Sequence, residues 1–105
     1  PEFDLLESVT QLKIVSQTFT ISHLNNRMAY QLEEKITHKL PEIWTTAVLP
    51  GTVQLTPNGT LIVLMRDAQV TGGYPRILQL SNHALNILAQ KSTRDVLHFK
   101  LKSFE

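Results

Sequence analysis

The stretch Arg66-Asp67-Ala68-Gln69-Val70-Thr71-Gly72-Gly73-Tyr74-Pro75 carries more polar chemistry than a connector between two apolar runs needs. The adjacent Gly72 and Gly73 open backbone conformations closed to other residues and let a ligand approach main-chain N–H groups. Thr71 offers a hydroxyl, Tyr74 an aromatic face with a polar tip, and Arg66 with Asp67 a charge pair. From these residues alone two readings stay open: a ligand-binding loop, or a tight turn on which Tyr74 is a packing anchor. Arg27 poses the same choice. It follows two asparagines and precedes an alternating apolar run. A guanidinium there binds a carboxylate or another anion bidentately, or simply stands in solvent.

Other chemistries find less support. The histidines at 23, 38, 83 and 98 lack the HxxxH or HxH spacing that clamps a metal, and each reads as a solvated surface histidine. No GxSxG elbow positions a serine nucleophile. Asn58-Gly59-Thr60 matches a glycosylation sequon but is more simply a hairpin turn. The absence of cysteine excludes disulfides, thiolate catalysis and Cys-ligated zinc or iron–sulfur clusters, and fits a reducing cytoplasm. Ten basic side chains against nine acidic ones give a net charge of +1, which argues against a nucleic-acid partner. The longest apolar run, Leu61 to Met65, is five residues, far short of a membrane span. Asp4, Glu7 and Lys13 interrupt what a secretory signal would keep uncharged.

These residues need elements to position them, and 105 residues at 42% hydrophobic suffice for one domain over positions 1–105. Asp4 with Glu7 resembles a capping box, and Leu5, Val9 and Leu12 recur at helical spacing, predicting a short N-terminal helix. Alternation in Thr18–Ser22 and Met28–Leu32 predicts two half-buried strands around a polar turn. Residues 33–46 resist placement, with Pro41 disfavouring helix at Leu40 and Trp44 expected to anchor a loop to the core. Thr52–Thr56 and Thr60–Met65 flank Pro57-Asn58-Gly59, a strong hairpin signal, with Gln54 alternating against Val53 and Leu55. The second of these strands is apolar throughout, which suggests cover on both faces. A strand at Ile77–Leu80 follows, then a short helix capped by Ser81, then a strand at Val96–Lys102 with Leu97, Phe99 and Leu101 on one face. The sum is a mainly β chain with two short helices, favouring a closed or nearly closed antiparallel β-barrel.

Asn26-Arg27-Met28-Ala29-Tyr30-Gln31-Leu32, then Leu49-Pro50-Gly51-Thr52-Val53-Gln54, Pro57-Asn58-Gly59, and Asp67 through Pro75 stand in a familiar order. Together they resemble the C-terminal part of the KipA-like biotin-dependent carboxyltransferase family, also described as allophanate hydrolase subunit 2 or 5-oxoprolinase component C. The family pattern runs D-R-M-G-Y-R-L, P-G-x-I-Q-V-P-x-x-G and D-x-Q-T-T-G-G-Y-P, and the likeness covers about residues 1–103. Asn26 stands where the family has Asp, Ala29 where it has Gly, Gln31 where it has Arg, and Val70 where it has Thr.

The resemblance implies a cyclophilin-like barrel, the C-terminal fragment of a longer carboxyltransferase-type subunit, an origin that an opening Pro1 rather than methionine also suggests. It implies a KipI-like partner (5-oxoprolinase component B, or allophanate hydrolase subunit 1) and a small amide substrate of the urea or 5-oxoproline class. Carboxybiotin or ATP would serve the parent complex. The chain itself has no Met-Lys-Met biotin attachment site and no GxxxxGK loop, so neither is expected to bind here. Catalytic residues and metal ligands are not assigned. The substrate-binding set is Arg27, Asp67, Gln69, Thr71, Gly72, Gly73 and Tyr74. Arg27 is expected beside the Asp67–Tyr74 loop, with Asp67 orienting Arg27 or Arg66, the Gly72 and Gly73 amides in a groove, and Tyr74 packing on a flat amide. The 105 residues alone are expected to fold without being active. A different class, a non-catalytic module binding a KipI-like regulator of a histidine kinase, is the alternative.

Overall fold

The computed structural model describes residues 2–40, 46–68, 71–72 and 74–100, and the hairpin at Pro57-Asn58-Gly59 organises its sheet. Pro57, with its ring-fixed φ, takes the second position of a β-turn closed by the Gly59 N–H donating to the Thr56 carbonyl at 2.9 Å. Asn58 Oδ1 accepts from the Thr56 hydroxyl at 2.5 Å and from the Thr60 N–H at 3.3 Å, locking the turn from within. Gly59 has φ +90°, and a Cβ there would run into the Ile36 carbonyl oxygen, so the position requires glycine. The turn sets β4 (Thr52–Leu55) against β5 (Leu61–Leu64), with Val53 opposite Val63 and Leu55 opposite Leu61.

β2 (Ala29–Leu32) pairs with the free side of β5, bringing Tyr30 opposite Val63. β1 (Phe19–Asn25) joins β2 across an irregularity between Ile21 and Asn25, and β8 (Val96–Leu97) pairs with β1 at the sheet's edge. β7 (Arg76–Gln79) pairs with β4 at the other edge. The six strands, in the order β7-β4-β5-β2-β1-β8, form an antiparallel sheet curled into a half-barrel. β3 (Thr46–Ala47) and β6 (Thr71–Gly72) form a separate two-stranded sheet.

Alternation along the strands sends Phe19, Ile21, Tyr30, Leu32, Val53, Leu55, Leu61, Val63 and Ile77 into one core. Ile14 of α1 (Ser8–Ser16) and Leu85 and Leu88 of α2 (Asn82–Ala89) fill it from the helices. Phe99 meets Phe19 with ring centroids 5.5 Å apart and planes tilted by 58°, within the range aromatic pairs prefer. Ser81 caps α2 as its sequence position predicts, its hydroxyl accepting from the Ala84 N–H at 3.1 Å. Among the described residues no helix is long and apolar enough to cross a membrane.

The mainly β, antiparallel class and the two helices agree with the sequence, but several local details differ. The N-terminus is a 3₁₀ turn at Glu2–Leu5, and α1 starts only at Ser8 with no side-chain cap. The break shifts the helical phase, so Leu5, Val9 and Leu12 stand 69%, 68% and 65% exposed while Leu6 and Ile14 are buried. β1 runs on to Asn25, into the stretch that reads as a turn. Its polar residues are satisfied there, the Asn25 carboxamide donating to the Ser22 carbonyl at 2.6 Å and the Thr93 hydroxyl at 2.8 Å. His38 is not a solvated histidine. Its Nδ1 accepts from the Leu40 N–H at 3.0 Å and its Nε2 lies 2.7 Å from the Thr56 carbonyl, which assigns the proton to Nε2. Within β5, Ile62 is only half-buried, so cover on the second face is partial. Pro41, Trp44, Leu101 and Lys102 lie outside the described residues.

Candidate functional site

Asn26 shapes the loop that carries Arg27. Its Oδ1 accepts from the Met28 N–H at 2.7 Å and the Ala29 N–H at 3.1 Å, and its own N–H donates to the Ala29 carbonyl at 3.0 Å. These bonds fold the β1–β2 link tightly and hold Arg27 at its tip. Every side-chain bond Asn26 makes here is as an acceptor, so a carboxylate in its place would serve equally. The Met65 N–H donates to the Met28 carbonyl at 2.9 Å, clamping this loop to the chain leaving β5. A turn closed by Ala68 N–H to the Met65 carbonyl at 3.0 Å then brings Asp67 to Arg27. Arg27 Nε and Asp67 Oδ2 are 3.7 Å apart, with side chains 92% and 58% exposed. Contact at that length in solvent is weak, and it leaves most of the guanidinium's donors facing water. Arg66 turns elsewhere, its Nη2 donating to Asn86 Oδ1 at 2.5 Å.

Thr71 and Gly72 form β6 against Ala47 and Thr46. Tyr74, half-buried, precedes Pro75, whose carbonyl accepts the Leu55 N–H at 3.1 Å. Leu55 lies opposite Leu61, so Tyr74 enters the sheet at the Leu61 end of β5, whereas Asp67 leaves it at the Leu64 end. The strand steps from Leu61 to Leu64 alone amount to about 10 Å. The segment therefore travels the length of the sheet: Arg27 and Asp67 meet at one end, and Tyr74 stands at the other. Gln69 and Gly73 lie outside the described residues.

Across the six-stranded sheet runs a row of residues that the sequence reading did not assign to binding. Gln31 is opposite Ile62, Ile62 opposite Gln54, and Gln54 opposite Arg76, which places the four on one face of the sheet, away from the Tyr30–Val63–Val53 core row. Gln54 is 4% exposed. Its Nε2 is buried and has no hydrogen-bond partner among the described residues. Strict alternation of Gln54 with Val53 and Leu55 was the available signal, but alternation reports the face, not whether water reaches it. The neighbouring Pro50-Gly51 pair does structural work. Leu49 O accepts from Thr52 N–H at 3.0 Å across a turn in which Gly51 has φ +91°. A Cβ on Gly51 would sit 2.9 Å from Gln79 Nε2. Gln79 in turn donates to the Pro50 carbonyl at 2.9 Å and accepts from the Thr52 hydroxyl at 2.9 Å. Among the described residues no three His, Asp or Glu side chains gather to hold a metal ion.

A curled antiparallel half-barrel, an arginine–carboxylate pair at one end and a glycine-bearing segment crossing to the other define a small β-barrel domain with polar chemistry at its rim. Residues 1–101 match the carboxyltransferase domain, subdomain A and B, and the chain belongs to that family. It is 36% identical over 107 residues to 5-oxoprolinase component C of Escherichia coli K12, covering 100% of this chain and 34% of that protein. It is 35% identical over 89 residues to 5-oxoprolinase component C of Haemophilus influenzae Rd, covering 83% and 29%. The chain thus spans about a third of the length of these curated relatives. Crystal structures of TTHA0988 share the fold, with a TM-score of 0.76 at 23% identity over 96% of this chain and 20% of that one.

Proposed function

We propose that this chain forms part of a subunit of the 5-oxoprolinase and allophanate-hydrolase type, acting with a KipI-like subunit on a small amide. Among such amides 5-oxoproline is favoured over urea. The observation that carries this reading is the 36% identity to 5-oxoprolinase component C along the whole of this chain. Arg27 is the residue we assign to charge stabilisation. Attack on, or carboxylation of, an amide builds negative charge on oxygen, and a guanidinium loosely held by Asp67 answers it. Thr71, Gly72 and Tyr74, with Gln69 and Gly73, are assigned to binding along the crossing segment. ATP or carboxybiotin would be held by other parts of the complex, since this sequence has neither a phosphate-cradling glycine loop nor a biotin attachment site.

The test uses the complete protein co-expressed with a KipI-like subunit and a 5-oxoprolinase third subunit from the same organism. ATP-dependent loss of 5-oxoproline is the expected result. A complex that consumes neither 5-oxoproline nor urea would sink the enzymatic reading and leave the regulatory-module alternative standing.

A further inference from the structure

Arg94 carries a backbone cost that the fold does not explain. Among the described residues it is the one non-glycine residue with a positive φ, at +74°. A side chain there is strained, and glycine or asparagine is the usual occupant. The turn itself is firmly made by other groups. The Arg94 N–H donates to the Ile21 carbonyl at 2.8 Å, and the Ser92 N–H to Asp95 Oδ2 at 2.8 Å. The guanidinium takes no part, and it has no hydrogen bond or ion pair among the described residues. What the strained turn achieves is to set Arg94 in the wall of an open groove of about 940 Å³ beside β1 and β2. Lys35, likewise unpaired among the described residues, lines the same groove from the chain beyond β2, and His23 lines it from β1. Ser22 and Thr93 line it too. Their hydroxyl oxygens accept from the Leu24 N–H at 2.9 Å and the Asn25 carboxamide at 2.8 Å, which leaves both hydroxyl protons to donate. Glu33 is the only carboxylate in the lining, and Leu24, 53% exposed, adds an apolar wall.

We propose that this groove binds a phosphorylated sugar, with Arg94 and Lys35 holding the phosphate and Glu33 accepting from a sugar hydroxyl. A phosphate takes charge-assisted bonds from several directions, as two cations on separate stretches and two hydroxyl donors supply them. The groove's volume is that of a small-molecule site and leaves room for an organic group beside Leu24. None of its lining residues belongs to the set assigned to the amide, so the inference stands apart from that reading.

The experiment follows thermal melting and calorimetric titration of the complete subunit with ribose 5-phosphate. At about 10 mM it should raise the melting temperature by about 2 °C, as a ligand of millimolar affinity does. Ribose, and potassium chloride at matched ionic strength, should not. Arg94→Gly removes the cation and relieves the backbone, so it should melt at or above wild type while affinity falls about tenfold. Lys35→Met should lose a similar factor. Glu33→Ala should weaken ribose 5-phosphate several-fold and leave inorganic phosphate unaffected. No shift with ribose 5-phosphate, or an equal shift with potassium chloride, overturns the proposal. An Arg94→Gly protein that binds as wild type does, or that melts several degrees lower, marks Arg94 as a turn residue and also overturns it. Undiminished binding by Lys35→Met does the same. Each of these outcomes is independent of whether the complex consumes 5-oxoproline.

Discussion

Replacing Arg27 with alanine separates the two roles an exposed arginine can have. Its described ion pair is with Asp67, at 3.7 Å. Two unit charges at that distance in bulk water attract by about 1 kcal/mol. With the side chains 92% and 58% exposed, salt screening and side-chain entropy reduce this to ~0.2–1 kcal/mol, within the range of ordinary surface pairs. The loop does not depend on the guanidinium, because Asn26 and the Met28–Met65 backbone bond hold it. Arg27→Ala should therefore change unfolding free energy by less than ~0.5 kcal/mol in urea denaturation of the complete subunit. If the guanidinium stabilises charge on the reacting amide oxygen, kcat/KM of the assembled complex should fall about a hundredfold, or ~2.7 kcal/mol of transition-state stabilisation. Asp67→Asn should cost only a few-fold, since it loosens the arginine without removing it. A loss of turnover matched by an equal loss of stability would show Arg27 to be structural. Unchanged turnover would remove it from the site altogether.

Three further sites test the fold that positions it. Gly59→Ala should destabilise by ~2–4 kcal/mol, since it combines a left-handed φ of +90° with a collision at the Ile36 carbonyl, and chemical denaturation against Gly59→Asn would separate the two costs. Ile14→Ala should cost ~2–5 kcal/mol while Leu12→Ser stays within ~0.5 kcal/mol, and the reverse order would mean the α1 phase is misassigned. His38→Ala should cost ~1–3 kcal/mol by orphaning the Leu40 N–H and removing one of the two donors to the Thr56 carbonyl, and amide exchange at Leu40 should accelerate with it.

The sequence was most legible where one residue type has one geometric use. Asn58-Gly59 announces the hairpin because few residues accept Gly59's backbone, and Ser81 announces α2 because its hydroxyl meets the Ala84 N–H. Leu5, Val9 and Leu12 misled for the opposite reason. Their spacing is helical, but a 3₁₀ turn before Ser8 rotates the stripe away from the core, and periodicity carries no absolute phase. The His38 bonds were invisible because Thr56 lies 18 positions away. For residues 67–75 a ligand-binding loop and a tight turn both stayed open in the sequence, whereas Thr71 and Gly72 extend as a strand against β3, between Asp67 at the Arg27 end of the sheet and Arg76 at the other. Only the strand register reveals that, and register is a property of paired strands rather than of one run of residues.

That register also sorts the motif residues by what they do. Asn26, Pro50, Gly51, Asn58 and Gly59 each close a turn or admit a close backbone approach. A chain with this fold would need them whatever it bound, so likeness at those positions argues for architecture. Among the described residues of these motifs Arg27 stands apart: its ion pair to Asp67 is loose and solvent-exposed, and its side chain secures no turn, strand or helix end. A charged group that the fold does not use is where ligand chemistry is to be sought. Arg27→Ala is therefore the substitution that separates binding from architecture, because the turn residues around it would fail in folding before they failed in turnover.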